Sequence, residues 1–236
     1  MKLPRAFYDR PTLDVARDLL GKVLVHNRRG AITTGAIVEV EAYIGESDPA
    51  CHAAPGPTTR NAPLYGPPGY AYVYLNYGIH CLVNIVTEQE GAPAAVLLRA
   101  LEPIDGIDMM RRRRGRIARG RRAIADRSAP ATHELCRGPG NLTMAMGITL
   151  AENCVDLLGD RLYVEDRAIV VGEIEWSPRV GITVGVERPW RASIRNHPAV
   201  SVRPRPSLAA RAPDAAPRRS RESARTRARD ASPRCR

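Results

Sequence analysis

The sequence predicts an α+β fold in a single domain spanning residues 1–202. Three observations predict it: a short amphipathic helix near the N-terminus, a run of strand-length apolar segments that follows it, and a tyrosine-rich β-hairpin at the centre of the chain. The chain has 236 residues and is 44% hydrophobic, enough for one large domain with a real core. Residues 203–236 stand apart. They hold eleven Arg, five Pro and no aromatic, and cannot bury enough apolar area to offset chain entropy. They are expected to be a disordered basic tail.

The elements follow in order. Asp9-Arg10-Pro11 opens a helix, with Asp9 as its cap and Pro11 in its first turn. Leu13, Ala16, Leu19 and Leu20 form its inner face and Gly21 ends it. Lys22–His26 reads as a strand, Asn27–Gly30 as a turn and Thr33–Tyr43 as a long returning strand. Ala94–Ala100 fits a buried strand and Ile104–Arg113 a helix. Gly138-Pro139-Gly140 opens a short helix with Leu142, Ala145 and Met146 inward and Gly147 as its stop. Short strands are expected near Arg161–Val164, Ala168–Val171 and Arg179–Val186.

The central hairpin carries most of the information. Five of the eight tyrosines fall between positions 65 and 77, and Tyr70, Tyr72 and Tyr74 alternate, so in a strand they share one face. Asn76-Tyr77-Gly78 reads as a tight turn with Gly78 at positive φ, and Ile79–Ile85 as the return strand. Tyr77 then sits at the tip. A large ring there folds back on its own protein, sits in a contact with another copy, or acts as a wedge that enters something else.

Charge narrows the partner. The formal net charge is +11, concentrated in the tail and in Arg111–Arg122, which has eight Arg and no acid. Such segments suit a polyanion such as nucleic acid, or are simply solvated. The five cysteines are scattered and form no CxxC pair, so neither a disulfide framework nor a zinc site is expected. Cys51-His52 lacks the downstream Pro-Cys-x-x-Cys of a zinc deaminase. The N-terminus has no apolar signal core, and no apolar run reaches membrane-spanning length. A reducing cytoplasmic setting, without membrane contact, is the expectation.

Several polar residues stand out. Glu39 and Glu41, in IVEVEAY, are two apart on a strand and face the same way as Tyr43, with Val38 and Val40 toward the core. A carboxylate among tyrosine rings is a candidate general base for water; an alternating surface strand with two solvated Glu is the plainer possibility. Asn84 has poor strand propensity, so its amide serves a backbone group or a ligand edge. Arg99 ends an apolar strand and needs an anionic partner or carbonyls.

VEVEAYIGESDPACHA, YVYLNYGIHCLVN, VLLRALEP and LCRGPGNL together resemble the single-domain alkyladenine (3-methyladenine) DNA glycosylases, over about Leu3 to Ser201. The resemblance implies a curved, mainly antiparallel sheet flanked by helices, with a protruding hairpin that enters the DNA minor groove. It implies Glu41 as general base, supported by Arg99. It implies a base pocket of Tyr43, His52, Tyr74 and Asn84, and Tyr77 as the intercalating residue. The implied partner is double-stranded DNA with damaged purines, met by a monomer near the bacterial nucleoid, without cofactor or metal.

The residues agree with that chemistry. A base must leave the duplex before its glycosidic bond can be attacked, which costs a few kcal/mol. A ring that fills the gap recovers about 1–3 kcal/mol of stacking. A cationic alkylated purine stacks well on tyrosine faces and is already a good leaving group, whereas hypoxanthine or ethenoadenine needs protonation or a donor. A Schiff base needs an amine nucleophile, and the chain's two lysines, Lys2 and Lys22, lie far in sequence from the Glu/Tyr cluster. A monofunctional enzyme that uses water and leaves an abasic site is expected. Two rivals are a non-catalytic damaged-DNA binder and a carbohydrate glycosidase using Glu39 and Glu41; carboxylates on one face of one strand cannot readily flank a bond from opposite sides. Ala192-Ser193 stands where many members of that family carry an aromatic pair, which bears on the pocket's far wall and lesion range, and His80 stands beside the wedge where they often have an aromatic.

Overall fold

The computed structural model describes residues 1–120 and 130–202, with side chains of residues 116–120 left aside. The fold is α+β, as the sequence predicts, with a curled antiparallel sheet and few helices. The expected tail at 203–236, and Arg121 and Arg122, lie outside the described residues.

Two short helices open the chain, α1 (Arg5–Tyr8) and α2 (Thr12–Leu19). Asp9 does not cap α2, because it closes α1; Pro11 occupies the cap position with no side-chain bond of its own. Glu88 takes over the role from a distant loop, accepting from the Thr12 N–H at 3.3 Å and the Thr12 hydroxyl at 2.6 Å. Leu13, Ala16, Leu19 and Leu20 are buried as their spacing requires.

The eight strands among the described residues are β1 (Val23–Arg28), β2 (Ala31–Ile44), β3 (Ala71–Asn76), β4 (His80–Val86), β5 (Ala94–Asp105), β6 (Leu162–Glu165), β7 (Ile174–Ser177) and β8 (Arg191–Ile194). They run β3-β4-β5-β2-β1-β6, and β8 joins β2 while carrying β7. Strand β2 is the axis. Its first half pairs with β1 and its second half with β8, while β5 runs along its other edge. Residues 39–41 therefore have a strand on each side, at the centre of the sheet.

Three expected elements are displaced. Ala168–Val171 and Arg179–Val186 are not strands; the pairing falls instead on Ile174–Ser177 and Arg191–Ile194. Both misplaced segments have strand-like composition but form no ladder, and ladder bonds rather than propensity decide strands. Ile104 and Asp105 remain in β5, and the helix α3 starts only at Ile107 and runs to Gly120. Gly106, at φ +76°, makes the break. The last α-helix among the described residues, α4 (Pro139–Met146), follows its predicted outline, with Gly138 as cap and Gly147 left-handed at its end.

Part of the arginine cluster is structural. Arg113 donates to the carbonyls of Ala145 and Met146 at 3.0 and 2.7 Å, closing the C-terminus of α4, and Arg114 donates to Leu135 O at 2.7 Å. Arg111 and Arg112 on the same helix remain more open to solvent.

Candidate active site

The site starts from an irregularity in the sheet. Between β2 and β5, Ile37 pairs with Leu101, Glu39 with Ala100 and Val40 with Leu98, so Val38 and Arg99 are each skipped. Such bulges re-aim side chains. Val38 does not share the main core with Val40, as strict alternation predicts. Ile37, Val40 and Ala42 face that core, while Val38 packs with Ala100, Ala199 and Val200. Arg99 meets Glu39 and Glu41 together.

Glu39 and Glu41 are both fully buried, so neither belongs to a solvated surface strand. Their partners differ. Glu39 Oε1 accepts from Arg99 Nε at 3.0 Å, Arg191 Nη1 at 3.0 Å and the Ser201 hydroxyl at 2.9 Å. Its Oε2 accepts the Ser201 N–H at 2.6 Å. That carboxylate ties three segments together and has no reach left for chemistry. Glu41 is held more lightly. Its Oε1 accepts the Val180 N–H at 2.7 Å and lies 3.2 Å from Arg99 Nη1. Its Oε2 takes the Tyr43 hydroxyl at 2.9 Å.

Beside Glu41 lies a cluster of rings. Tyr72 and Tyr74 share one face of β3, their centroids 5.3 Å apart. His52 lies 4.4 Å from the Tyr74 ring, and its Nδ1 is 2.8 Å from the Tyr72 hydroxyl. Tyr43, Tyr65, Tyr70 and Tyr74 pack around the same small core of Cys51, Leu64, Tyr72 and Val86. Burial, and next the Glu41 charge, push the Tyr74 phenol up to about 12; burial and then Glu41 raise Tyr43 as well. Both rings stay protonated donors. Burial first, then the Arg60 charge, lower His52, so its ring is neutral at neutral pH. The His52 loop is fixed by Asn61, whose amide donates to His52 O at 2.7 Å and Gly56 O at 2.9 Å.

Asn84 sits on β4 opposite Tyr72 and gives its amide to Tyr72 O at 3.1 Å. The backbone alternative therefore holds for its donor. Tyr77 lies apart from the cluster, at the hairpin tip. It is 89% exposed and itself takes a positive φ of 48°, followed by Gly78 at 68°. The ring does not fold back. Leu75 and Ile79 beside it are exposed as well.

The family model described as Methylpurine-DNA glycosylase matches residues 6–198. The chain belongs to this family. A protein of Methanocella arvoryzae provisionally named 3-methyladenine DNA glycosylase is 49% identical over 205 residues, covering 85% of this chain and 96% of its own. Similarly named proteins of Chlorobaculum parvum and Alkaliphilus oremlandii are 46% and 45% identical, again over 85% of this chain and 90% and 99% of theirs. The enzyme is thus a DNA glycosylase of the 3-methyladenine type, a hydrolase of base excision repair that acts on damaged DNA.

Several residues that shape this candidate site carry little signal in the sequence. Tyr72 stood within the Tyr70/Tyr72/Tyr74 alternation but was not assigned to the pocket. Asp48, Arg179, Arg191 and Ser201 have no local signal, because the charged groups they meet lie far along the chain. Ala192 and Ser193, in place of an aromatic pair, are both buried on β8, opposite Val40 and Glu39; Ala192 joins the main core. His80 packs against α4, where a Cβ on Gly140 would fall 2.9 Å from its ring.

Proposed function

We propose that the glycosylase rotates an alkylated or deaminated purine out of the duplex and hydrolyses its N-glycosidic bond with water activated by Glu41. The range covers 3-methyladenine, 7-methylguanine, hypoxanthine and ethenoadenine. One observation carries this reading: a buried carboxylate adjoins a phenol and imidazole cluster, and the strand bearing that cluster ends in an exposed tyrosine. Tyr74 and Tyr77 are three residues apart, roughly 10 Å along a strand. That separation suits a base in the pocket and a ring in the gap it left.

Each group has a role. Glu41 takes the proton of the attacking water, and Arg99 steadies the carboxylate. Tyr74, Tyr43 and the neutral His52 ring stack on the base, favouring a cationic purine. Asn84, fixed by its bond to Tyr72 O, stands at the pocket edge and excludes the 2-amino group of normal guanine. Tyr77 replaces the lost stacking.

The product is an abasic site with the DNA backbone intact. Lys22 Nζ bonds Asp166 at 2.5 Å and Lys2 bonds Gly159 O and Asp160. Both lie at the β6 edge of the sheet, opposite the hairpin edge, which supports water rather than an amine as nucleophile.

The test uses duplexes that each hold one of the four lesions, incubated with excess enzyme and then cleaved by alkali. Strand breaks only after alkali, absent with Glu41→Gln, are expected. Breaks without alkali, or a trapped borohydride adduct, would overturn the monofunctional reading.

A further inference from the structure

The loop between β7 and β8 is anchored by a charged pair with no part in the chemistry above. Arg179 and Asp48 are both buried, and the guanidinium grips the carboxylate with two bonds, Nη1 to Oδ2 at 2.5 Å and Nη2 to Oδ1 at 2.8 Å. Nη1 also donates to Ala42 O at 3.0 Å. Arg179 Nε is buried with no hydrogen-bond partner among the described residues. Removing two charges from water costs several kcal/mol per ion, and an apolar pair of similar volume often serves stability as well or better. A stability role alone accounts poorly for this arrangement.

Its surroundings point elsewhere. The Arg179 guanidinium lies 4.6 Å from the centre of the Tyr43 ring. The next residue, Val180, places its N–H 2.7 Å from Glu41 Oε1. Glu41 is oriented by three groups: Arg99, the Tyr43 hydroxyl and the Val180 N–H. Arg179 adjoins two of the three, lying over the Tyr43 ring and preceding Val180 in the chain. Asp48 fixes Arg179 in turn, bonding the Ile44 and Ala50 N–H groups at 3.3 and 3.2 Å, so the pair links the end of β2 to the loop.

We propose that Asp48 and Arg179 form a positioning pair that sets the orientation of Glu41 for its attack on water. The inference rests on Glu41 being the general base. Neither residue needs to touch DNA. A displacement of about 1 Å at a reacting group costs up to about 100-fold in rate, so loosening the pair should slow the bond-breaking step while leaving lesion binding intact.

The experiment measures single-turnover excision of 7-methylguanine, affinity for the same duplex and Tm. Three variants are compared with the wild-type enzyme: Asp48→Asn, the Asp48→Asn/Arg179→Gln pair and Gly185→Ala. The paired substitution replaces both charges with amides that can bond each other. A Cβ at Gly185 would fall 3.1 Å from Arg179 Nη2, 3.3 Å from Pro49 Cγ and 3.5 Å from Asp48 Oδ1, and at φ +63° it also strains the backbone, so it presses on the pair without removing a charge and its Tm is read beside its rate. Excision is expected to fall roughly 10- to 100-fold at unchanged affinity, and Asp48→Asn should add nothing in a Glu41→Gln background. A folded variant that excises at the wild-type rate overturns the proposal. So does a loss shared in proportion by rate, affinity and Tm, or one that persists undiminished beside Glu41→Gln. If the wild type does not excise, or Glu41→Gln excises normally, the base assignment fails instead.

Discussion

The Tyr43 hydroxyl donates to Glu41 Oε2 at 2.9 Å, from two residues further along the same strand. A strand turns alternate side chains to one face, so this contact is set by the shortest possible spacing. It holds one carboxylate oxygen of a fully buried residue. Glu39, one step back on that face, is saturated by Arg99, Arg191 and Ser201.

Substitution should separate the two acids. Glu41→Gln keeps the shape and removes the base, so excision should fall roughly 10²–10⁴-fold with lesion binding retained. Glu39→Gln breaks the buried network instead and should cost about 3–5 kcal/mol of stability. Single-turnover rates and denaturant titrations on both variants check this; a stable Glu39→Gln with no excision would exchange their roles.

Tyr77→Ala should leave Tm unchanged, because the ring is 89% exposed. In duplex DNA it should forfeit about 1–3 kcal/mol of stacking. The same lesion in a single strand offers no gap to fill, so excision there should change little. Comparing the duplex and single-strand rates reads the difference, and equal losses would remove the wedge role.

Acid stability should depend on Glu152. Burial raises its proton affinity, but His26, the Thr149 N–H and hydroxyl, and Arg161 outweigh that and bring its carboxyl down to about 2. A carboxyl depressed in the fold and ordinary when unfolded stabilises above its unfolded value, near 4.5, and loses that contribution as pH falls toward about 2. The contribution is of order 3 kcal/mol. Denaturant midpoints between pH 6 and pH 3, compared with Glu152→Gln, should show a steeper fall for the wild type; parallel curves would count against it.

Gly106 stands at φ +76°, and a Cβ there would lie 2.6 Å from the Ile32 carbonyl oxygen. Gly106→Ala should therefore lower Tm, by strain of about 1–3 kcal/mol, without altering excision by the folded fraction. A thermal melt with an activity titration tests it.

Much of the site was legible because its signals are local. Alternation put Tyr72 with Tyr74 and Glu39 with Glu41; Asn76-Tyr77-Gly78 could form little but a tip; helix α2's inner face followed from its period. The errors share a cause. Val38 left the main core because a bulge interrupts β2, and Ala168–Val171 and Arg179–Val186 stayed unpaired because strand pairing is settled by neighbours far along the chain.

The sequence by itself determined the hairpin, the ring at its tip, the tyrosine face and the acids that could act as base, since each follows from spacing within a few residues. Only the tertiary structure decided which acid is saturated by partners and which is held by fewer bonds. Arg99, Arg191, Ser201 and Val180 reach those carboxylates from separate strands and loops, and a buried charge takes its character from the partners the fold places around it.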